Sequence, residues 1–194
     1  MKTRHIFHLR QARRSSNKYV EAAKKRLPEF DGRAISVRFL PDLSAGSRKL
    51  YSRRKVGQPV YAATFIRKRK IVFDQELERK PTEMTRILAH ELFHFAWVRL
   101  GNPARRSYEA LLRREWNQHA RGELGWSAES RKSALPRRPP VAKWRAYVCE
   151  SFCDSAAWHY SGLRRHSEFT LAERYRKHRA AWFQATFANR GIPI

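Results

Sequence analysis

The sequence has few cysteines, few acidic residues and no long hydrophobic run. Its two cysteines, Cys149 and Cys153, are too few for the disulfide framework of a small secreted protein. No segment approaches the ~20 consecutive apolar residues that span a bilayer, and the basic N-terminus lacks the apolar centre of a secretory signal. We therefore expect a cytoplasmic protein that does not contact a membrane.

The scarcity of acidic residues leaves a large positive charge. The chain carries 42 Lys and Arg against 17 Asp and Glu, a formal net charge of +25. Residues 1–80 alone hold 22 basic and 7 acidic residues, a difference of +15. The densest clusters are Lys24–Arg26, Arg53–Lys55 and Arg67–Lys70. Such clusters can neutralise phosphates, so a nucleic acid or another polyanion is one expected partner of the N-terminal region. The alternative is a charged face that only keeps the protein in solution.

The apolar content is sufficient for a folded core. Apolar residues make up 42% of the chain and aromatic residues 12%, more than a disordered polycation contains. The length of 194 residues suits a single domain. We expect residues 1–194 to form one domain, with a basic helical N-terminal segment at 1–28 and a lid or insertion at 103–141.

Hydrophobic periodicity predicts an α+β protein in which most strands precede most helices. The predicted helices are 15–27, 81–100 with Thr82 as its cap, 104–119, 141–160 and 167–188. Residues 34–40 alternate like a half-buried strand, and 60–66 with 71–73 resemble a hairpin that turns at 67–70. The stretches 41–46 and 122–140 are rich in turn-forming residues and are predicted to be loops.

The predicted helix at 81–100 contains a metal-binding pattern, His90-Glu91-Leu92-Phe93-His94. Histidines four residues apart lie on one helix face, so both rings can reach a single ion. Zinc is the metal expected for such nitrogen ligands. Glu91 lies about 100° further around the helix, where it can act as a general base without binding the metal. The rest of this helix is apolar, which predicts that it is buried and that its polar side chains have partners.

A third ligand is expected on the predicted helix at 141–160. Glu150 and Asp154 are the only acids of that mostly apolar segment, and their spacing puts them on one face. Glu150 could bind the metal while Asp154 accepts the ring N–H of a ligating histidine.

The pattern His90-Glu91-x-x-His94 followed by Glu150-x-x-x-Asp154 resembles the zincin metallopeptidases of the glutamate-ligand (gluzincin) type, to which thermolysin belongs. The chain is also similar in its compact size to the minimal zincins and the ImmA/IrrE-like metallopeptidases. This resemblance implies that His90, His94 and Glu150 bind zinc, that Glu91 is the general base, and that Asp154 orients a histidine. It also implies a twisted sheet beside the active-site helix, with an edge strand at 60–66 or 71–73 that binds an extended peptide substrate.

Several alternatives remain at the level of the sequence. His119 could supply the third ligand, as a downstream histidine does in SprT-like zincins, which would describe a protease associated with nucleic acid. Cys149 or Cys153 could also ligate zinc, since thiolates are good ligands. The side chains that could face a substrate are His159, Tyr147, Tyr108 and Trp126. A basic nucleic-acid-binding protein with a structural or regulatory metal is the second functional hypothesis.

Overall fold

The computed structural model describes residues 7–9, 20–25, 27–47, 49–54, 56–188 and 191–194. The α+β class is confirmed, since the strands lie mainly in the first half and the long helices in the second. The strands are β1 (Phe7–Leu9), β2 (Phe30–Asp31), β3 (Ile35–Leu40), β4 (Leu43–Gly46), β5 (Lys49–Ser52), β6 (Gln58–Pro59), β7 (Ala62–Phe65), β8 (Lys70–Asp74) and β9 (Ile192–Pro193). The helices are α1 (20–24), α2 (Pro81–Arg99), α3 (Asn102–Asn117), α4 (Trp126–Ser133), α5 (Val141–Tyr160) and α6 (Glu173–Phe187). The predicted N-terminal segment 1–28 and its predicted helix 15–27 are described only in part, because residues 1–6 and 10–19 lie outside the described residues.

The main sheet has the strand order β1-β3-β8-β7. Strands β1, β3 and β8 run parallel, whereas β7 pairs antiparallel with β8 and forms an edge. The predicted alternation of β3 is confirmed, because Ile35, Val37 and Phe39 are buried while the residues between them are partly exposed. The predicted hairpin of β7 and β8 is also confirmed, and a 3-10 turn at Ile66–Lys68 connects the two strands.

Helix α2 lies at the centre of the molecule. Every residue from Met84 to Phe93 is buried, as its apolar composition predicts. Its partner is α5, and Phe93 contacts Phe152 of α5 with a ring-centroid distance of 5.7 Å. Phe183 of α6 lies 5.3 Å from Phe152 by the same measure and closes an aromatic core behind the two helices. Packing between α2 and α5 therefore fixes the relative positions of the two predicted metal-binding segments.

Several local predictions are wrong. The predicted helix 167–188 begins only at Glu173. The stretch 41–46 contains β4, which pairs with β5 and β6 in a separate three-stranded sheet. The predicted loop 122–140 contains α4. Thr82 does not cap α2, which begins at Pro81 and has no side-chain cap. Strand pairing overrides the turn signals at 41–46, and packing on α5 accompanies α4. At α2, Pro81 in the first helical position places the N-cap at Lys80 instead.

None of the helices within the described residues is both long and apolar enough to cross a membrane.

Candidate metal centre

Helix α2 presents His90 and His94 to each other one turn apart. Their Nε2 atoms are 3.2 Å apart, and their side chains are 10% and 21% exposed. Two imidazole nitrogens at this separation cannot both donate a hydrogen, so at least one presents a lone pair towards the other. Two imidazole nitrogens this close, when both are deprotonated, are suited to a shared cation.

Glu150 of α5 completes a compact group of three donor atoms. Its Oε2 lies 3.4 Å from His90 Nε2 and 3.8 Å from His94 Nε2. Metal–ligand bonds of about 2.0–2.2 Å in tetrahedral geometry require donor atoms about 3.3–3.5 Å apart. The three separations are close to that requirement, so these side chains fit a zinc-sized ion. Glu150 Oε1 accepts a hydrogen bond of 3.1 Å from Arg131, which orients the carboxylate.

Asp154 fixes the orientation of the His90 ring. Its Oδ1 lies 2.7 Å from His90 Nδ1, and its Oδ2 accepts a 2.8 Å hydrogen bond from the backbone N–H of Ala128. The Asp154 side chain is 2% exposed, so this carboxylate is held without help from solvent. With Nδ1 donating to Asp154, neutral His90 directs the lone pair of Nε2 towards His94 and Glu150.

The electrostatics of the group favour a bound cation. Burial alone would lower the pKa of His90, but Asp154, with contributions from Glu150 and Glu91, raises it well above its ordinary value. Burial opposes ionisation of Glu150, yet His90, His94 and Arg131 lower the pKa of that carboxyl to about 2. The surrounding carboxylates thus favour a positive charge at His90, which either a proton or a metal ion can supply.

Glu91 is oriented by the edge strand. Its Oε2 accepts a 2.5 Å hydrogen bond from the Thr64 hydroxyl of β7. Glu91 is buried, and it belongs to the same turn of α2 as His90. This contact joins Glu91 to β7 at the edge of the main sheet.

The Cys153 thiol is an alternative to Glu150 as the third ligand. Single ligand atoms of His90, His94 and Cys153 all lie within 4.8 Å of one another, so these residues could also hold a metal ion. Cys153 Sγ is 3.4 Å from His94 Nδ1, whereas Glu150 approaches His94 Nε2. We favour Glu150 because its Oε2 contacts the Nε2 atoms of both histidines, and one ion can bind all three atoms.

The other predicted participants do not join this group. His119 is exposed in the turn after α3, and no described contact connects it to His90 or His94. Tyr108 and Tyr147 are buried and donate hydrogen bonds to Ser151 O and Glu123 Oε1, so they do not face a substrate. His159 packs against the Phe183 ring. Trp126, by contrast, is 69% exposed at the start of α4 and remains available for a contact.

Four contributors were missed at the level of the sequence, namely Thr64, Gly125, Ala128 and Arg131. Gly125 is required by close approach, because a Cβ at this position would collide with the Asp154 carboxylate. Ala128 and Arg131 belong to α4, which was predicted to be a loop. The insertion 103–141 thus supports Asp154 and Glu150 directly. Gly125, which occupies the N-cap of α4, was a weak local signal of a helix start.

A concave region away from the candidate site is also present. It has a volume of about 940 Å³, and Pro59, Val60 and Tyr61 line it beside several charged side chains of both signs. None of the five predicted site residues contributes to its wall. Chemistry, rather than cavity size, identifies the candidate site here.

Comparison of the chain with family models, with curated proteins and with solved structures finds no match. The functional interpretation therefore depends on the geometry of the site.

Proposed function

We propose that the chain is a zinc-dependent peptidase with a zincin-like arrangement, in which His90, His94 and Glu150 hold the metal. The observation that carries this proposal is the cluster of His90 Nε2, His94 Nε2 and Glu150 Oε2, with every pair within 3.8 Å. Asp154 behind His90 and Glu91 beside the cluster have the chemistry expected of an orienting carboxylate and a general base. A bound zinc ion would polarise a scissile carbonyl and lower the pKa of a water molecule to about 7.

Glu91 moves the proton in the proposed reaction. It accepts a proton from the attacking water and delivers it to the leaving amine. Because Thr64 engages Oε2 of Glu91, Oε1 is the oxygen left to exchange that proton. Burial of Glu91 keeps competing solvent away from this transfer.

Strand β7 supports an extended peptide as the substrate. The backbone N–H of Asp74 donates to Tyr61 O at 2.8 Å, and β7 and β8 pair Ala63 with Val72 and Thr64 with Ile71. Hydrogen-bonded pairs alternate along an antiparallel ladder, so the backbone groups of Ala62 and Thr64 point away from β8. Within the described residues β7 is the last strand of its sheet. A peptide added there would use those groups and pass beside Glu91.

Replacement of the proposed base tests this function. In Glu91→Gln, zinc content should equal that of the wild type, while hydrolysis of a library of quenched fluorescent peptides should fall by at least about 100-fold. Glu173→Gln, at an exposed position of α6, is the matched control and should hydrolyse normally. If hydrolysis persists in Glu91→Gln, Glu91 is not the general base. If this variant loses zinc, Glu91 contributes to metal binding and is not a base distinct from the ligands.

A nucleic-acid-binding role is the second candidate, and a cluster of basic side chains favours it. Burial, then the charges of Arg99 and Arg33, lower the pKa of Arg69. Burial, then Arg38 and Lys68, lower the pKa of Lys70 in the same way. The fold thus gathers basic residues from β3, the β7–β8 turn and the end of α2. This surface could bind phosphates whether or not the metal centre is catalytic.

A further inference from the structure

Two thiols on α5 face the side of the His94 ring that the proposed zinc site does not use. Cys149 Sγ lies 3.8 Å and Cys153 Sγ 3.4 Å from His94 Nδ1. The cysteines are four residues apart on one helix face, and their thiols also interact with each other. Cys153 is buried and Cys149 is partly exposed.

The thiols belong to a different donor group from the proposed zinc ligands. His94 Nε2 is directed at His90 Nε2 and Glu150 Oε2, whereas Nδ1 lies on the other side of the imidazole ring. An ion bound to Nε2 in the ring plane lies away from both sulfur atoms. A single acceptor would satisfy an N–H at Nδ1, so orienting His94 does not require two thiols.

The separations match those of a bound soft cation. Bonds of about 2.3 Å to sulfur and about 2.0–2.1 Å to nitrogen place the two ligand atoms about 3.5–3.8 Å apart at tetrahedral to trigonal angles. The S–N distance of 3.8 Å falls in this range, and that of 3.4 Å is 0.1 Å shorter than its lower limit. Sulfur-rich donor groups select thiophilic ions over hard ones.

We propose that Cys149 Sγ, Cys153 Sγ and His94 Nδ1 form a second metal site, which takes a thiophilic d10 cation such as Cu⁺ or Cd²⁺. The ion enters the site from the side of Cys149, which is partly exposed. Because His94 contributes one ring nitrogen to each site, an ion at Nδ1 changes the basicity of Nε2 and so affects zinc binding. The proposal does not depend on peptide hydrolysis.

Cadmium titration of the metal-free protein, in the presence of a phosphine reductant, tests this site. Thiolate-to-cadmium absorption in the ultraviolet reports directly on sulfur ligation. We expect a two-thiolate band in the wild type, about half of it in Cys149→Ser or Cys153→Ser, and none in the double variant. Cadmium affinity should fall by at least about 10-fold in each single variant. Glu150→Gln, which removes an acid from the zinc group alone, should keep the full band.

Two results would overturn the proposal. One is a double serine variant that binds cadmium as tightly as the wild type. The other is a full band in Cys149→Ser together with its loss in Cys153→Ser, which would assign the ion to His90, His94 and Cys153. Circular dichroism verifies that each variant is folded. If Cys153→Ser does not fold, a full band in Cys149→Ser is sufficient to reject the site.

Discussion

His90 illustrates how single residues set the properties of this site. Asp154, with Glu150 and Glu91, raises its pKa well above the ordinary 6.5, against the effect of burial. Below that raised pKa the ring is protonated, and it must lose a proton before Nε2 can bind a metal. Metal affinity is therefore linked to pH through His90.

We expect the apparent zinc affinity to increase with pH through a window above 6.5, because the pKa of His90 is raised from that value. Asp154→Asn removes the main source of the shift, so the midpoint should move to lower pH. The same variant should lose about 10–100-fold in zinc affinity at high pH, as loss of an orienting carboxylate does. Competition with a chromophoric chelator at a series of pH values measures both the pH midpoint and the zinc affinity. A wild-type midpoint at or below 6.5 contradicts this prediction.

Gly125 should be intolerant of a methyl group. Its backbone is extended, so the constraint is steric and not conformational. In Gly125→Ala the new Cβ would push the Asp154 carboxylate away from His90 and Ala128. Zinc affinity should then fall by about 10–100-fold. Gly101→Ala is the matched control, because the closest atom to its Cβ would be Pro103 Cδ at 3.7 Å. Equal zinc affinity in the two variants would exclude this role of Gly125.

Under the proposed function, Thr64 positions Glu91. Thr64→Val keeps the shape of the side chain but removes the hydroxyl that Glu91 Oε2 accepts from. We expect kcat to fall by about 10–100-fold with unchanged zinc content, and Thr64→Ser to restore most of it. Steady-state kinetics of the two variants separate the effect of the hydroxyl group on kcat from the effect of side-chain packing. An unchanged kcat in Thr64→Val would exclude this role of the hydroxyl.

Among the elements, α5 supplies Glu150 and Asp154 to the site, and a buried polar network packs against it. Arg179 of α6 has a fully buried side chain and pairs with Glu115 of α3 and Glu123, each at 2.6 Å. Arg179 Nη1 also donates to Ser151 and Ser155 of α5, at 3.0 and 3.1 Å. This network joins three helices on the face of α5 opposite to α2, and so it supports the position of Glu150.

Removal of the buried guanidinium should destabilise the protein strongly. Arg179→Met leaves Glu115 without its buried partner, and loss of one member of a buried ion pair typically costs about 3–5 kcal/mol. Urea denaturation measures the change. Lys177→Met, on the same helix, is the control and should have little effect because its ion pair with Glu173 is exposed. A small change in Arg179→Met would mean that the network adds little to stability.

At the scale of the whole molecule, most of the long helices and the hairpin could be predicted from the sequence. The contacts between distant segments could not. The helix 141–160 was predicted with its observed bounds because its apolar residues recur with helical period. The short polar helix α4 could not be recognised in this way, because Ala128 is its single buried residue and it has no apolar stripe. Glu150 was predicted from spacing and composition. The contact of Gly125 with Asp154 joins positions 29 apart, and no local pattern encodes it.

The positive charge is a property of the whole molecule and predicts salt-dependent binding to nucleic acid, if the second candidate function holds. Each phosphate contact releases a counterion, so affinity should decrease steeply between about 50 and 200 mM salt. Fluorescence anisotropy with a labelled single-stranded and a labelled duplex oligonucleotide measures it. Lys68→Glu with Lys70→Glu should weaken binding further. Binding that is absent, or insensitive to salt, would leave the charge as a solvated surface.

The central claim is that His90, His94 and Glu150 hold one zinc ion. Anomalous diffraction at the zinc edge, from crystals grown with one equivalent of zinc, tests it most directly. We predict one peak, bonded to Nε2 of both histidines and to a Glu150 carboxylate oxygen at about 2.0–2.2 Å. A peak bonded to Cys153 instead of Glu150, or the absence of a peak at His90 and His94, would contradict the claim.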